Sequence, residues 1–404
     1  MTRTSTFFSE RYRRDHLNLG DRCRQDAAVV RATTSDGIPV WVITRHDDAR
    51  NALTDPRLIK DGATVRAAIS RQLPEAGDDD PGRNAMFWTQ ALFADPPNHT
   101  RLRGLLQAAF TTRRVNALKP GFQEMTDDLI RGLPSKEPFD LMTHFAIPLP
   151  LAVICELLGV PTGERGELRR WTDALNENDP AVASKATREL DEFFGGLIER
   201  KRRVPGDDLV SDLIHGVPDG ADRLSHKELV GTSILLLNAG HDTTANLIGN
   251  TVRWLLADRE ARWIQLAHLH PEKIPAAIEE ILRFDGPVQM ATQRVSREDV
   301  EYGGVTIPAG EIVLISLLTA NRDPDRFIDA DRICLGREDN QHLSFGRGIH
   351  RCIGATLGRM EAQVSVSALA RRFPEAELAE QNRWERREST VMNGLKELIV
   401  QLNA

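Results

Sequence analysis

Leu343-Ser-Phe-Gly-Arg-Gly-Ile-His-Arg-Cys-Ile-Gly354 runs directly into a helical pattern over Ala355–Arg372. Gly346 and Gly348 precede Cys352 and Gly354 follows it. Glycines on both sides let backbone approach a flat, bulky object. The helix N-terminus that follows favours an anionic thiolate. A lone cysteine in such a turn would more often be a buried free thiol. The whole pattern, Phe-x-x-Gly-x-x-x-Cys-x-Gly, points instead to a sulfur presented to a ligand.

Upstream, Ser225-His-Lys-Glu228 is a capping box, serine and glutamate each satisfying the other's backbone N–H. The apolar stretch it opens reaches Ala257, enough for a helix of about 30 residues and about 45 Å. Its centre, Ile234–Leu237, is apolar on every side, which predicts burial. Pro120–Ile130, Pro150–Leu158, Lys185–Arg203, Ile274–Phe284 and Ala355–Arg372 also carry apolar residues at helical spacing. Strand signals are few. Val40–Thr44 is one, and Val305–Ile307 with Ile312–Ile315 around Pro308-Ala-Gly310 reads as a hairpin. The expected fold class is mainly α (α+β), a helical bulk around a long central helix with a small β-rich region. Neither a repeat nor a linker composition interrupts the chain, so residues 1–404 read as one domain despite the length.

Of the 404 residues, 41% are apolar and 27% charged, which excludes a disordered or fibrous chain. Lys and Arg number 52 against 59 Asp and Glu, an acidic balance that argues against a nucleic-acid partner. The four cysteines, Cys23, Cys155, Cys334 and Cys352, form no CxxC pair, which fits a reducing cytoplasm better than a disulfide framework. Residues 1–10 lack the apolar run of a secretory signal. The most apolar stretch, Phe145–Cys155, is far shorter than the ~20 residues that span a bilayer, so no membrane partner is expected.

On Phe345, Gly348, Cys352 and Gly354 the sequence resembles the cytochrome P-450 family of haem-thiolate monooxygenases, with His350 in the form common among bacterial members. The resemblance extends from about Gly37 to Leu398, through Val153–Pro161, Asp207–Leu209 and Ala320–Pro324. It implies that Cys352 ligates the iron of haem b, in a loop formed by Phe345, Gly346, His350 and Gly354. A thiolate ligand favours O–O cleavage. Ala239-Gly240-His241-Asp242-Thr243-Thr244 lies inside the long helix. There a carboxylate and two threonines cost propensity and desolvation, although Thr hydroxyls can simply bond back along a helix. By resemblance, Ala239 and Gly240 flank the haem, Thr243 holds dioxygen and its water, and Asp242 relays protons. A gap in the helix ladder near Ala239–Thr243 is expected to make room for oxygen. Glu280-Ile-Leu-Arg283 alone is an ordinary i,i+3 pair, like Glu167/Arg170. The resemblance makes it a buried brace of the cysteine loop, with Arg332 as third member. Haem carboxylates call for cations, and His99, Arg103, Arg294 and His350 stand at family positions. Arg101 is left to solvent.

The resemblance places the substrate against Phe87, Trp88, Leu235, Asn238, Ala239, Met290, Thr292 and Met392. Phe, Trp and Tyr make up only 5% of the chain, which suits aliphatic walls and a bulky alicyclic, macrolide-, terpenoid- or steroid-like molecule. The chain departs from the family at Asn238, usually apolar, and at Ile328 and Ala330, usually prolines. Asn238 either bonds a polar group of the substrate or bonds a neighbouring turn. Electrons must come from outside, because no flavin or iron–sulfur segment is visible. Arg347, Arg351 and Arg359, offset by Glu361 and joined by Arg113 and Arg114, read as a basic face that steers an acidic ferredoxin. NAD(P)H enters only through that ferredoxin and its reductase. The leading function is insertion of one oxygen atom of O2 into a C–H bond. A peroxygenase, a non-oxygenating enzyme on the same scaffold, and a haem-based sensor are the alternatives.

Overall fold

The computed structural model describes residues 6–72, 90–134, 137–175, 179–216, 222–380 and 384–403. It divides into two compact units, Met1–Ile59 with Phe122–Leu149 and Thr243–Ala404, and Lys60–Gly121 with Pro150–Asp242. Every described strand lies in the first unit; the second is helical. Predominantly helical structure with a small β region is as expected.

In the first unit the strands are β1 (Val29–Thr33), β2 (Pro39–Ile43), β3 (Leu58–Ile59), β4 (Phe139–Asp140), β5 (Met290–Ser296), β6 (Val300–Tyr302), β7 (Val305–Ile307), β8 (Ile312–Ser316), β9 (Glu377–Leu378) and β10 (Ile399–Gln401). The main sheet has the order β1-β2-β8-β5-β3. β1 and β2 form a hairpin in the register Val29↔Ile43, and β8 runs parallel to β2 with Trp41 opposite Val313. Val29, Trp41, Ile43, Leu58, Tyr302, Val313 and Ile315 fill the core under it. The expected hairpin of Val305–Ile307 with Ile312–Ile315 does not form. β7 pairs with β6 across Gly303-Gly304, both at positive φ, while β8 pairs with β2 and β5. All five residues of β8 are buried, which suits a strand with a partner on each side. β5 and β8 slip register between Ala291 and Arg294, and such an irregularity re-aims side chains.

In the second unit, Asp179 caps the helix Pro180–Arg203 by accepting from the Ala181 and Val182 N–H groups. Near that helix's other end, Lys201 and Asp208 form a buried ion pair at 2.6 Å. The capping box at Ser225 forms as read. Ser225 N–H donates to Glu228 Oε2 at 2.8 Å, and Glu228 N–H to Ser225 Oγ at 3.3 Å. It opens a helix over His226–Leu256, 31 residues long. The expected gap in its ladder is absent, and the helix continues as α through 239–243. No proline interrupts it, and His241 Nδ1 stays 3.2 Å from the Leu237 carbonyl of the same helix.

Candidate active site

The cysteine loop belongs to the first unit. Gly346 and Gly348 adopt φ of +67° and +72°, conformations that favour glycine. They turn the chain so that the Cys352 N–H donates to the Phe345 carbonyl at 2.9 Å. Cys352 carries an exposed thiol outside any disulfide, and a Cβ on Gly354 would stand 3.9 Å from its sulfur. Gly354 caps the helix Ala355–Arg372. Behind the loop, Ser344 Oγ donates to the Leu282 carbonyl at 2.6 Å, and Asn321 accepts from Leu343 N–H at 2.6 Å. Arg359 lies 4.2 Å from the centre of the Phe345 ring and forks onto Glu279 at 2.6 and 2.8 Å. Burial works against the Glu279 charge. The bonds from His342 and Arg359 still hold its carboxyl down at about 2.

Glu280 and Arg283 are wholly buried and joined by two bonds, 2.9 and 2.8 Å. Arg283 also donates to the carbonyls of Asn321, Ala330 and Arg332. The expected third member, Arg332, therefore contributes a carbonyl, and its side chain is exposed. Arg337 takes that place, its Nε 3.0 and 3.2 Å from the two Glu280 oxygens. The path of residues 327–340, which brings Arg337 inward, decides between the two arginines.

Along the long helix, Leu235, Asn238, Asp242 and Thr243 are half-buried and Ala239 is exposed, while most of their neighbours are buried. Spacings of three and four residues put them on one face. Gly240 points elsewhere, and a Cβ there would meet Ile154 Cδ1 at 2.8 Å, so glycine here serves helix packing. Thr244, buried, hydrogen-bonds Glu361 of the helix Ala355–Arg372. Glu361, read as a surface charge, is instead 1% exposed. Burial drives its carboxyl well above the ordinary range, with Thr244 opposing.

In the second unit His99 is buried, with Arg103 one turn further along the helix Asn98–Ala109. Sequence reasoning missed Lys60, which is buried with its ammonium 5.7 Å from the Phe93 ring centre. No motif marks it. Asp95 holds the backbone in place by accepting from the Lys60 and Asp61 N–H groups, both at 2.8 Å. Burial, then Arg103 and Lys60, lower the His99 pKa. Arg101 is not solvated as expected. It pairs with Glu228 and, at 3.5 Å, with Asp222.

In the first unit Arg294 is buried against the carbonyls of Leu53, Ala52 and Leu58, 3.2–3.5 Å away, and His350 is half-buried. Thr292 and Met392 are half-buried. Met290, expected in the substrate wall, has no accessible surface and is a core residue opposite Ser316. Phe87 and Trp88 lie outside the described residues. The basic face is also smaller than expected. Arg359 is neutralised by Glu279, Arg114 by Asp207 and Asp212, and Glu361 is internal. Arg347, Arg351 and Arg113 remain exposed.

Residues 269–402 match the family model "Cytochrome P450". Cytochrome P450 107B1 of Saccharopolyspora erythraea is 43% identical over 403 residues, covering 98% of this chain and 97% of that protein. The vitamin D(3) 25-hydroxylase of Pseudonocardia autotrophica is 42% identical, covering 93% and 91%. Among solved structures, the tirandamycin C-bound P450 monooxygenase TamI superposes with a TM-score of 0.89 at 38% identity, covering 98% of this chain and 99% of that one. The chain belongs to the cytochrome P450 family.

It is a P450 monooxygenase, and membership implies a haem-thiolate iron, use of O2, a small-molecule substrate and a redox partner. The residues present fit that cofactor. P450 chemistry needs one thiolate at an open position, and Cys352 is an exposed thiol at a helix N-terminus. It needs cations for two carboxylates, and the first unit carries Arg294 and His350, the second His99 and Arg103. No described helix of this P450 is long and apolar enough to cross a membrane.

Proposed function

We propose that this P450 hydroxylates a C–H bond of a bulky, mostly apolar small molecule of natural-product, terpenoid or steroid type, with electrons from a ferredoxin and its reductase. The observation that carries this reading is the accessible face of the long helix. Leu235 and Ala239 offer apolar surface, and the acid–alcohol pair Asp242-Thr243 stands one turn further along. Relatives support the size class: one acts on vitamin D(3), and another was solved with tirandamycin C. The cofactor is haem b, and four cysteines outside any disulfide suit a cytoplasmic location.

When bound, the haem supplies a redox-active iron at which O2 is activated, and the Cys352 thiolate is its protein ligand. Arg294 and His350, and His99 and Arg103, offer positive charge and N–H donors to its carboxylates, with Lys60 adding charge beside His99. Thr243 presents its hydroxyl as donor and acceptor, so it can hold a water and pass on a proton. Asp242, half-buried at the same level of the helix, takes protons from solvent and returns them to that hydroxyl. Leu235 and Ala239, with Thr292 and Met392, exclude water and orient the substrate. Asn238 donates to a polar group on it. Exposed Arg347 and Arg351 steer an acidic ferredoxin.

A panel of candidate substrates, screened for conversion of the ferric protein from low to high spin, tests the reading. Bulky apolar hits should give oxygenated products that carry one atom from 18O2. Hits confined to small polar molecules would refute the substrate class. Cys352→Ser protein that retained turnover would refute the ligand. Asn238→Leu should weaken binding of hits bearing a polar group and spare hydrocarbons.

A further inference from the structure

Asp285, at the end of the helix Ile274–Asp285 in the first unit, is 0% exposed, and five donors converge on its carboxylate. Oδ1 accepts from His16 Nε2 at 2.9 Å and Asn393 Nδ2 at 2.7 Å. Oδ2 accepts from Trp254 Nε1 at 2.7 Å, Arg386 Nη2 at 2.7 Å and Arg253 Nη1 at 3.3 Å. These donors come from the N-terminal helix His16–Asp26, the long helix and the C-terminal segment. Partnering of this kind at a fully buried charge fixes geometry, because loss of any donor leaves a desolvated group behind.

The lacing continues in one direction. Asn393 Nδ2 also donates to the Gly286 carbonyl at 2.8 Å, and Asn393 N–H to the Pro287 carbonyl at 2.8 Å. Gln289 N–H donates to the Val391 carbonyl at 2.9 Å, and its side chain to the Ser389 carbonyl at 2.7 Å. Asn250 Nδ2 spans the Asp285 and Asn393 carbonyls, 3.0 Å from each. Segments 285–290 and 389–393 are thereby clasped together, with Val288 bridged to Met392. Thr292, two residues beyond the first segment, and Met392, within the second, are half-buried.

The structure assigns to Asp285 and Asn393 the role of positioning residues that set the substrate wall carried by Val288, Thr292 and Met392, and with it the size of molecule accepted. The assignment rests on the wall proposed above. Neither residue needs to touch substrate. His16 extends the tether to the N-terminal helix, far away in sequence from the wall it helps to hold.

Binding of two azoles to the ferric holoenzyme, followed by the Soret shift, tests this. Imidazole needs only the iron, whereas clotrimazole fills the space around it. Asn393→Ala removes two donors from the clasp and should raise the clotrimazole Kd about tenfold, with the imidazole Kd changed less than about twofold. Gln289→Ala leaves all five donors on Asp285 and cuts only the side-chain links to the Ser389 and Thr390 carbonyls. It should shift the same ratio in the same direction by a smaller factor, and it decides the matter if Asn393→Ala does not yield folded holoenzyme. Equal movement of both Kd values, or of neither, overturns the assignment. Met392→Trp separates the two ideas. If it too leaves clotrimazole binding unchanged, the wall itself is wrong and the positioning role falls with it. If it alone changes the ratio, the wall stands and the clasp does not set it.

Discussion

Replacing Glu280 by Gln tests whether the buried cluster braces the cysteine loop. Its carboxylate accepts from Arg283 Nε and Nη2, from Arg337 Nε, from the Cys334 N–H at 2.8 Å and from Asn340 Nδ2 at 3.3 Å. Arg283 has no exposed surface, so the neutral amide leaves a cation buried without a counter-charge, a loss of about 3–5 kcal/mol. The Cys334 N–H keeps an acceptor only if the amide presents oxygen. If the amide presents nitrogen there, about 1 kcal/mol more is lost. Arg337→Ala is milder. Glu280 keeps both bonds to Arg283; the charge-assisted bond from Arg337 is worth about 1.5–3 kcal/mol, and its exposed bonds to the Ile328 and Asp329 carbonyls go with it. Arg332→Ala touches only an exposed side chain and should fall within about 0.5 kcal/mol of the parent. Urea unfolding of the ferric holoenzyme gives the ranking, and the thiolate-type fraction of the reduced carbon-monoxide spectrum should fall in the same order. Glu280→Gln within 1 kcal/mol of the parent, or Arg332→Ala as damaging as Arg337→Ala, would refute the reasoning.

Asp242→Asn should cut product formation about 100-fold while leaving the substrate-induced spin shift intact, and Thr243→Ala should lower product formed per electron pair consumed. Steady-state turnover with product quantification checks both. Gly240→Ala drives a Cβ against Ile154 and should cost about 1–3 kcal/mol. Gly121→Ala, in the helix Thr112–Arg131 with nothing within 4 Å, should gain about 0.5–1 kcal/mol. Paired thermal melts compare them. Glu361 must be kept protonated to stay buried, so its penalty is absent below the unfolded carboxyl pKa of about 4.3 and complete above its raised folded value. Glu361→Gln should therefore melt higher than the parent at pH 8 and no higher near pH 4.

What could be read from the chain beforehand was the chemistry that lies close together in sequence. The capping box at Ser225 needs only residues 225–228, and the glycine turns before Cys352 need only 346–352. What escaped depends on distant partners. β8 was matched to β7 because they are neighbours in the chain. Its five buried residues are satisfied only by β2, some 270 positions away, and by β5. Arg332 and Arg337 are equivalent as residue types, and only the course of the backbone between Phe327 and Asn340 selects the second. Glu361 looks like a helix-surface acid until Thr244 is set against it. Lys60 carries no motif, because Asp95, 35 residues later, is what holds its backbone. The pattern has a consequence for substrate choice. If wall positions such as Met392 are set by long-range contacts converging on Asp285, relatives with the same cysteine loop and acid–alcohol pair can differ in substrate through residues that never touch it. Exchanging single wall side chains between such relatives should then transfer specificity less completely than exchanging the clasped segments 285–292 and 386–395 together.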